Sequence, residues 1–403
     1  MQHRFLIVPE VISVRIWTFY LTQMRLQLTE SQQSLRDDVR TFAQETIRPQ
    51  AIELDQQEEY PAEILDELGD RGYAGLTLSS EYGGMGLGLV ELTLVTEELS
   101  AALMSVASPL ALHLGVATII ERFGTDQQRE RFLPEMAAFE TVGALGLSEA
   151  GAGSNKLEME TTAERDGDDW VLNGHKRWVT NFQHADYVLT YAKTGPDSDA
   201  PHNISAFLVP SDAFDVATVW DTLGARSVKS PKATLTNVRV PDANRVGEEG
   251  EGYVQRGQTN IGVNVPARGV GIARAALDDT VAFTREREQY DQSLADFQGI
   301  SWEIARMAER VDTGRLLTLR AADRADRGKD VTREFSMAKI HATEAAVENA
   351  NSAMQLHGGI GYTTEKHVER YLRDARLLTL AGGPNEGHRD TLGDAVYDAH
   401  PRT

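Results

Sequence analysis

Leu147-Ser148-Glu149-Ala150-Gly151-Ala152-Gly153-Ser154, followed by Gly174-His175-Lys176-Arg177-Trp178-Val179-Thr180-Asn181, is the stretch on which the fold turns. In the first block small residues and hydroxyls close an apolar run. Backbone amides there can approach a large planar or anionic ligand, because no bulky side chain stands in the way. The second block adds an indole and a further hydroxyl. Taken singly, the first block reads as an ordinary turn and Trp178 as a core residue. Together, in this order, they carry a resemblance to a known ligand grip.

Upstream of the grip the periods are helical. Thr29-Glu30-Ser31-Gln32 has the form of a capping box, and Leu35, Val39, Phe42 and Ile47 recur at helical spacing as far as Pro49. Pro61 opens a second helix through Leu68, Leu89 to Leu103 reads as a third and Ala111 to Phe123 as a fourth. Thr125 with Gln128 caps the next. After Gly151 the pattern alternates. Asp166-Gly167 and Asn173-Gly174 predict hairpin turns, and Tyr187 to Tyr191, Ile204 to Val209 and Ala233 to Val240 predict strands. Beyond a turn-rich link at Gly247 to Gly252, long helical periods return at 267–287, 297–327 and 332–356, with a shorter one after Pro384. The expected fold is mostly α with a β domain. It has an N-terminal helical domain (24–145), a barrel-like middle β domain (146–252) and a C-terminal four-helix bundle (253–403).

Composition narrows the function classes. Forty basic against 61 acidic residues give a formal net charge of −21, beyond the magnitude of roughly 2 to 8 that keeps a small domain soluble. The acids are spread along the chain, which describes an acidic surface of the kind that suits high salt. Such a surface repels phosphates and anionic lipid, so neither nucleic acid nor membrane is an expected partner. From Thr222 to Pro241 the chain carries Arg226, Lys229, Lys232 and Arg239 without a carboxylate, a patch expected to face an anionic ligand. There is no cysteine, which removes disulfides, thiolate nucleophiles and Cys-ligated zinc, and the ten histidines are scattered without metal-site spacing. No apolar run is expected to reach membrane length. Residues 1–23 hold Glu10 as their only acid and make a poor signal peptide. They are expected to be a non-native or disordered extension ahead of Met24, on a cytoplasmic protein.

Helical domain, β domain and helical bundle in this order, with the two opening blocks, resemble the acyl-CoA dehydrogenase family. The resemblance runs on through Arg287-Glu288-Gln289-Tyr290, Phe297-Gln298-Gly299-Ile300, Gln355-Leu356-His357-Gly358-Gly359-Ile360-Gly361-Tyr362 and Val368-Glu369-Arg370-Tyr371-Leu372-Arg373-Asp374-Ala375. It implies FAD as cofactor. Leu147 and Ser148 would hold the flavin through backbone and hydroxyl, and Trp178 and Thr180 would lie against the isoalloxazine ring. Ser154 would lie near the thioester of an acyl-CoA substrate. Arg287 and Gln298 would address the pyrophosphate and adenosine end, with Gln355, Gly358 and Gly359 supplied by a neighbouring subunit. The resemblance also implies a homo-oligomer, usually a tetramer, and often an electron-transferring flavoprotein as acceptor.

The same resemblance exposes a gap. Family chemistry needs a carboxylate to take the α-proton while the β-hydrogen leaves as hydride. The segment that carries it reads Ala381-Gly382-Gly383-Pro384 here, and the alternative position on the first bundle helix reads Ile261-Gly262. Catalytic residues are therefore left unassigned. Glu386 is the nearest acid and falls where the family has a polar flavin contact. The expected activity is α,β-desaturation of an acyl-CoA with a relocated or absent base. Alternatives are a flavoenzyme of the same fold acting on a non-thioester, or a catalytically silent FAD- or acyl-CoA-binding paralogue.

Overall fold

The structure is a computed structural model describing residues 27–400, so the expectation about residues 1–23 lies outside the described residues. Helix α1 (Glu30–Phe42) starts at the expected capping box, with Gln32 N donating to Thr29 Oγ1 at 3.2 Å and Thr29 N to Gln32 Oε1 at 3.0 Å. Helices α2 (Ala51–Gln57), α3 (Ala62–Asp70), α4 (Leu89–Ala102), α5 (Met104–Phe123) and α6 (Asp126–Ala137) complete the first domain. The second expected box, Thr125 with Gln128, caps α6.

Helix α5 departs from the sequence expectation. It begins at Met104, ahead of the expected Ala111, with Pro109 inside it and Leu103 extended between α4 and α5. Proline stops a helix by clash and by its missing donor, yet here the helix runs on through it. Counted from Met104, α5 is long and apolar enough to cross a membrane, which corrects the expectation that no run reaches that length. However, 83% of its most apolar window is buried inside the protein, as befits a core helix.

The β domain is one sheet in the order β6 (Asp215–Val219), β7 (Pro231–Pro241), β3 (Asp169–Arg177), β2 (Thr162–Asp166), β4 (Tyr187–Lys193), β5 (Ile204–Pro210), β8 (Arg245–Val246), with β1 (Gly143–Gly146) parallel to β4. Asp166-Gly167 turns β2 into β3 as expected. Asn173-Gly174 does not turn. It sits inside β3 as a bulge against β7, and Asn173 Oδ1 accepts from Asn237 N at 2.8 Å. Glycine is required there because a Cβ would come within 2.4 Å of Thr161 Oγ1.

Helix α7 (Gly252–Gly257) leads into α8 (Asn264–Glu286), α9 (Gln298–Asp326), α10 (Thr332–His357), α11 (His367–Leu378) and α12 (Asn385–Asp398). The sequence predicts four helices here; α7 and α11 are additions, both short. Helix α8 is central, packed on α9, α10 and the N-terminal α4. Gly269 and Gly271 permit this, since a Cβ would lie 2.7 Å from Ala342 O at the first and 2.4 Å from Glu97 O at the second. The buried carboxylates of Glu97 and Glu98 on α4 receive Arg274 from α8, Arg315 from α9 and Arg40 from α1, locking the helical domains together.

Candidate functional site

Strand β1 delivers Leu147, buried, and Ser148, half-buried, to the end of the sheet. Ser148 O accepts from Arg177 N at 2.8 Å, which clamps the first sequence block to the second. Glu149 turns inward onto Lys176 Nζ at 2.5 Å, both side chains being almost wholly enclosed. Burial opposes the Glu149 charge, but the Lys176 ammonium and the Thr161 and Glu160 amides outweigh it and hold the carboxyl below its ordinary range. Breaking such a buried pair costs on the order of 3–5 kcal/mol, so the turn is rigid. Lys156, which sequence reasoning passed over, donates from Nζ to Ser148 Oγ at 2.7 Å.

Trp178 follows β3 in the left-handed region (φ 61°), with 53% of its surface exposed, and stacks on Trp220 with centroids 5.2 Å apart. A large aromatic held open in a strained conformation is a surface prepared for a ligand. Thr180 is half-buried beside Asn181, whose Nδ2 donates to Pro109 O at 2.9 Å and Gly143 O at 3.3 Å. Asn181 thus fixes the shelf to α5 and β1 together. Ser154 is exposed at the rim.

Arg287, Gln298, Gln355, Gly358 and Gly359 are all exposed. Arg287 ends α8, and Gly358 ends α10 at φ 63° with open space where a Cβ would be. The Phe283 ring, one turn before Arg287, stacks on His357 at 4.3 Å, so both groups occupy the same end of the bundle. Among the described residues nothing bonds them to the Leu147–Thr180 shelf.

The two expected base positions hold no acid. Gly382 is left-handed (φ 70°), and its carbonyl accepts from His388 Nε2 at 3.0 Å. Ile261 is half-buried against the N-terminal core. Glu386 lies in the first turn of α12, with its side chain 80% exposed and 3.9 Å from Arg389. The basic patch is largely neutralised: Arg226 pairs with Asp55, Lys229 with Glu58, and Arg239 with Asp166 and Asp169. The expectation of an anion-facing patch is corrected accordingly, because carboxylates distant in sequence fold onto it.

FAD fits the shelf. The Trp178 face is open, the Ser148 hydroxyl lies at the end of the clamped turn, and the buried donors Arg177 Nε and Trp220 Nε1 have no hydrogen-bond partner among the described residues.

Comparison with known proteins agrees with this geometry. Family models described as acyl-CoA dehydrogenase N-terminal, middle and C-terminal domains match residues 29–140, 144–238 and 250–397. A probable acyl-CoA dehydrogenase, YngJ of Bacillus subtilis (strain 168), is 37% identical, covering 91% of this chain and 98% of its own. Butyryl-CoA dehydrogenase from Megasphaera elsdenii superposes with a TM-score of 0.89 at 32% identity, covering 93% of this chain and 100% of that one. The FAD complex of PigA superposes with a TM-score of 0.88 at 25% identity, covering 93% and 99%. With three domain models covering the chain in order and a relative matched along nearly its whole length, the protein belongs to the acyl-CoA dehydrogenase family.

Proposed function

We propose that the protein is an FAD-dependent oxidoreductase acting on the CH–CH group of an acyl-CoA thioester. The observation that carries this reading is the clamped turn, where Arg177 N on Ser148 O brings the Leu147-Ser148 end of β1 beside the open indole of Trp178. Bound FAD supplies a two-electron acceptor. The chain's own residues position it. Leu147 and Ser148 hold the flavin through backbone and hydroxyl, Trp178 covers the ring, and Thr180 places a hydroxyl at its edge. Ser154 lies toward the thioester, and Glu386 makes a polar flavin contact at the start of α12.

Arg287 and Gln298 serve the pyrophosphate and adenosine end, with Gln355, Gly358 and Gly359. The shared end of α8 and α10 supports one refinement. If a neighbouring subunit supplies Gln355 to Gly359, the same subunit supplies Arg287. The working form is then a homo-oligomer, proposed as a tetramer, in the cytoplasm, with an electron-transferring flavoprotein as acceptor. With Gly382 and Ile261 at the base positions, the α-proton leaves to a relocated group, or from a substrate already acidic at Cα. Anaerobic mixing of the holoenzyme with a panel of acyl-CoAs tests the reading. Bleaching of the flavin band supports it, bleaching only by non-thioesters moves the protein to other chemistry, and no bleaching at all makes it a silent binder.

A further inference from the structure

Arg268 sits on α8 one turn beyond Val265, the residue whose Cγ2 lies 3.0 Å from where a Cβ on Gly382 would be. Its side chain is enclosed, the residue being 4% exposed. It donates to Ser108 Oγ and, at 2.9 Å, to Asn264 Oδ1, and among the described residues its buried Nε has no acceptor. Among the described residues no carboxylate pairs with it, and burial pushes its pKa down to about 10. Arg370, equally buried, has Asp374 at 3.5 Å. Lys339, 0% exposed on α10, donates to the neutral Asn385 Oδ1 at 2.7 Å. Burial, then the charge of Arg268, lowers it to about 8, while Glu344 and Glu386 pull the other way. Two buried cations thus lie near each other among α5, α8, α10 and the start of α12, each with neutral hydrogen-bond acceptors only.

An isolated buried charge costs several kcal/mol unless an opposite charge joins it. The direction from which an anion would come is set by the neighbours. Ser108 precedes Pro109, whose carbonyl accepts from Asn181 beside Thr180, and Val265 faces the Gly382 turn. Arg268 is thus tied through Ser108 to the segment of α5 that anchors Asn181, and lies one turn along α8 from the Val265 that faces Gly382. We propose that Arg268, backed by Lys339, is a socket for a carboxylate at the far end of the acyl group, so that the substrate is the thioester of a short dicarboxylic acid. One helical turn, about 5 Å, separates the Val265 level from Arg268, which suits an acyl group of roughly four to six carbons. This rests on the acyl-CoA reading above and adds the class of acyl group.

Calorimetric titration of the holoenzyme with glutaryl-CoA and valeryl-CoA, matched in chain length, tests the socket in the native protein, in Arg268→Gln and in Arg268→Lys. FAD absorbance and melting temperature verify folding. The native protein is expected to bind glutaryl-CoA about tenfold or more tighter, the gain of a charge-assisted hydrogen bond. Arg268→Gln is expected to lose that preference while keeping valeryl-CoA affinity within about twofold, and Arg268→Lys to keep part of it. Equal affinities in the native protein, or a preference that survives Arg268→Gln, would overturn the socket and leave the acyl-CoA reading standing. Binding of neither thioester would overturn both. If Arg268→Gln does not fold, the native ratio and Arg268→Lys decide.

Discussion

At the residue scale the turn at Gly382 governs what chemistry this chain can recover by substitution. Gly382 and Gly383 are both left-handed, at φ 70° and 95°, and a Cβ on Gly382 would press on Val265. Gly382→Ala is expected to destabilise the protein by about 1–2 kcal/mol, read from the midpoint of denaturant unfolding. An unchanged midpoint would show that the turn tolerates a side chain and could once have carried the base. Glu386 is 80% exposed near Arg389, which does not equip it to take a proton from a sheltered substrate. Glu386→Gln should lower the rate of flavin reduction by far less than the 10²–10⁴-fold that a general base contributes; a loss approaching that range would make Glu386 the base. The turn and the indole of the proposed grip were legible in the sequence because their features are local, small residues followed by a Trp. Arg268 was not. In Val265-Pro266-Ala267-Arg268-Gly269 an arginine on a helix reads as a solvated one, and only α5 and α10 closing over it make it buried.

At the element scale α5 sets the spacing between the first domain and the sheet. His113, wholly buried on α5, approaches Met136 O of α6 with Nε2 at 2.9 Å and accepts from Gly143 N of β1 with Nδ1 at 3.2 Å. It is therefore neutral in the fold, and burial pushes its pKa down to about 4. The sign follows from proton uptake. Below the unfolded value near 6.5 the unfolded chain binds a proton that the folded chain refuses, so this contribution to stability is intact above about pH 6.5. It falls as the pH drops toward 4, by on the order of 3 kcal/mol in all. The melting-temperature advantage of the native protein over His113→Gln should shrink steadily from pH 7 to pH 4.5, and a constant gap would contradict the assignment. Sequence periodicity found α5 but began it after Pro109, because local rules stop a helix at proline. Asn173-Gly174 misled in the same way. An Asn-Gly pair is a hairpin signal, and the approach of Thr161 that makes it a bulge comes from elsewhere in the chain.

At the scale of the whole molecule the net charge of −21 and the order of the three domains were readable from composition and period. The pairing of the basic patch with Asp55, Glu58 and Asp166 was not, since these partners lie far away in sequence. The proposed flavin site draws on two groups of residues that no hydrogen bond joins among the described residues. The shelf is built from β1 and β3, while Arg287 and Gly358 share the end of α8 and α10. Trp178→Ala and Arg287→Ala are each expected to weaken FAD retention, measured as flavin absorbance per chain after gel filtration. If a site joins the shelf of one subunit to the bundle end of another, co-assembling the two variants restores some intact sites. In every mixed pair one site combines the unaltered shelf of the Arg287→Ala chain with the unaltered bundle end of the Trp178→Ala chain, and its counterpart carries both defects. Random mixing under two-fold symmetry then returns about a quarter of native FAD occupancy. A site completed within one chain has no such route, so recovery no greater than the mean of the two variants would place both halves of the flavin site in a single subunit.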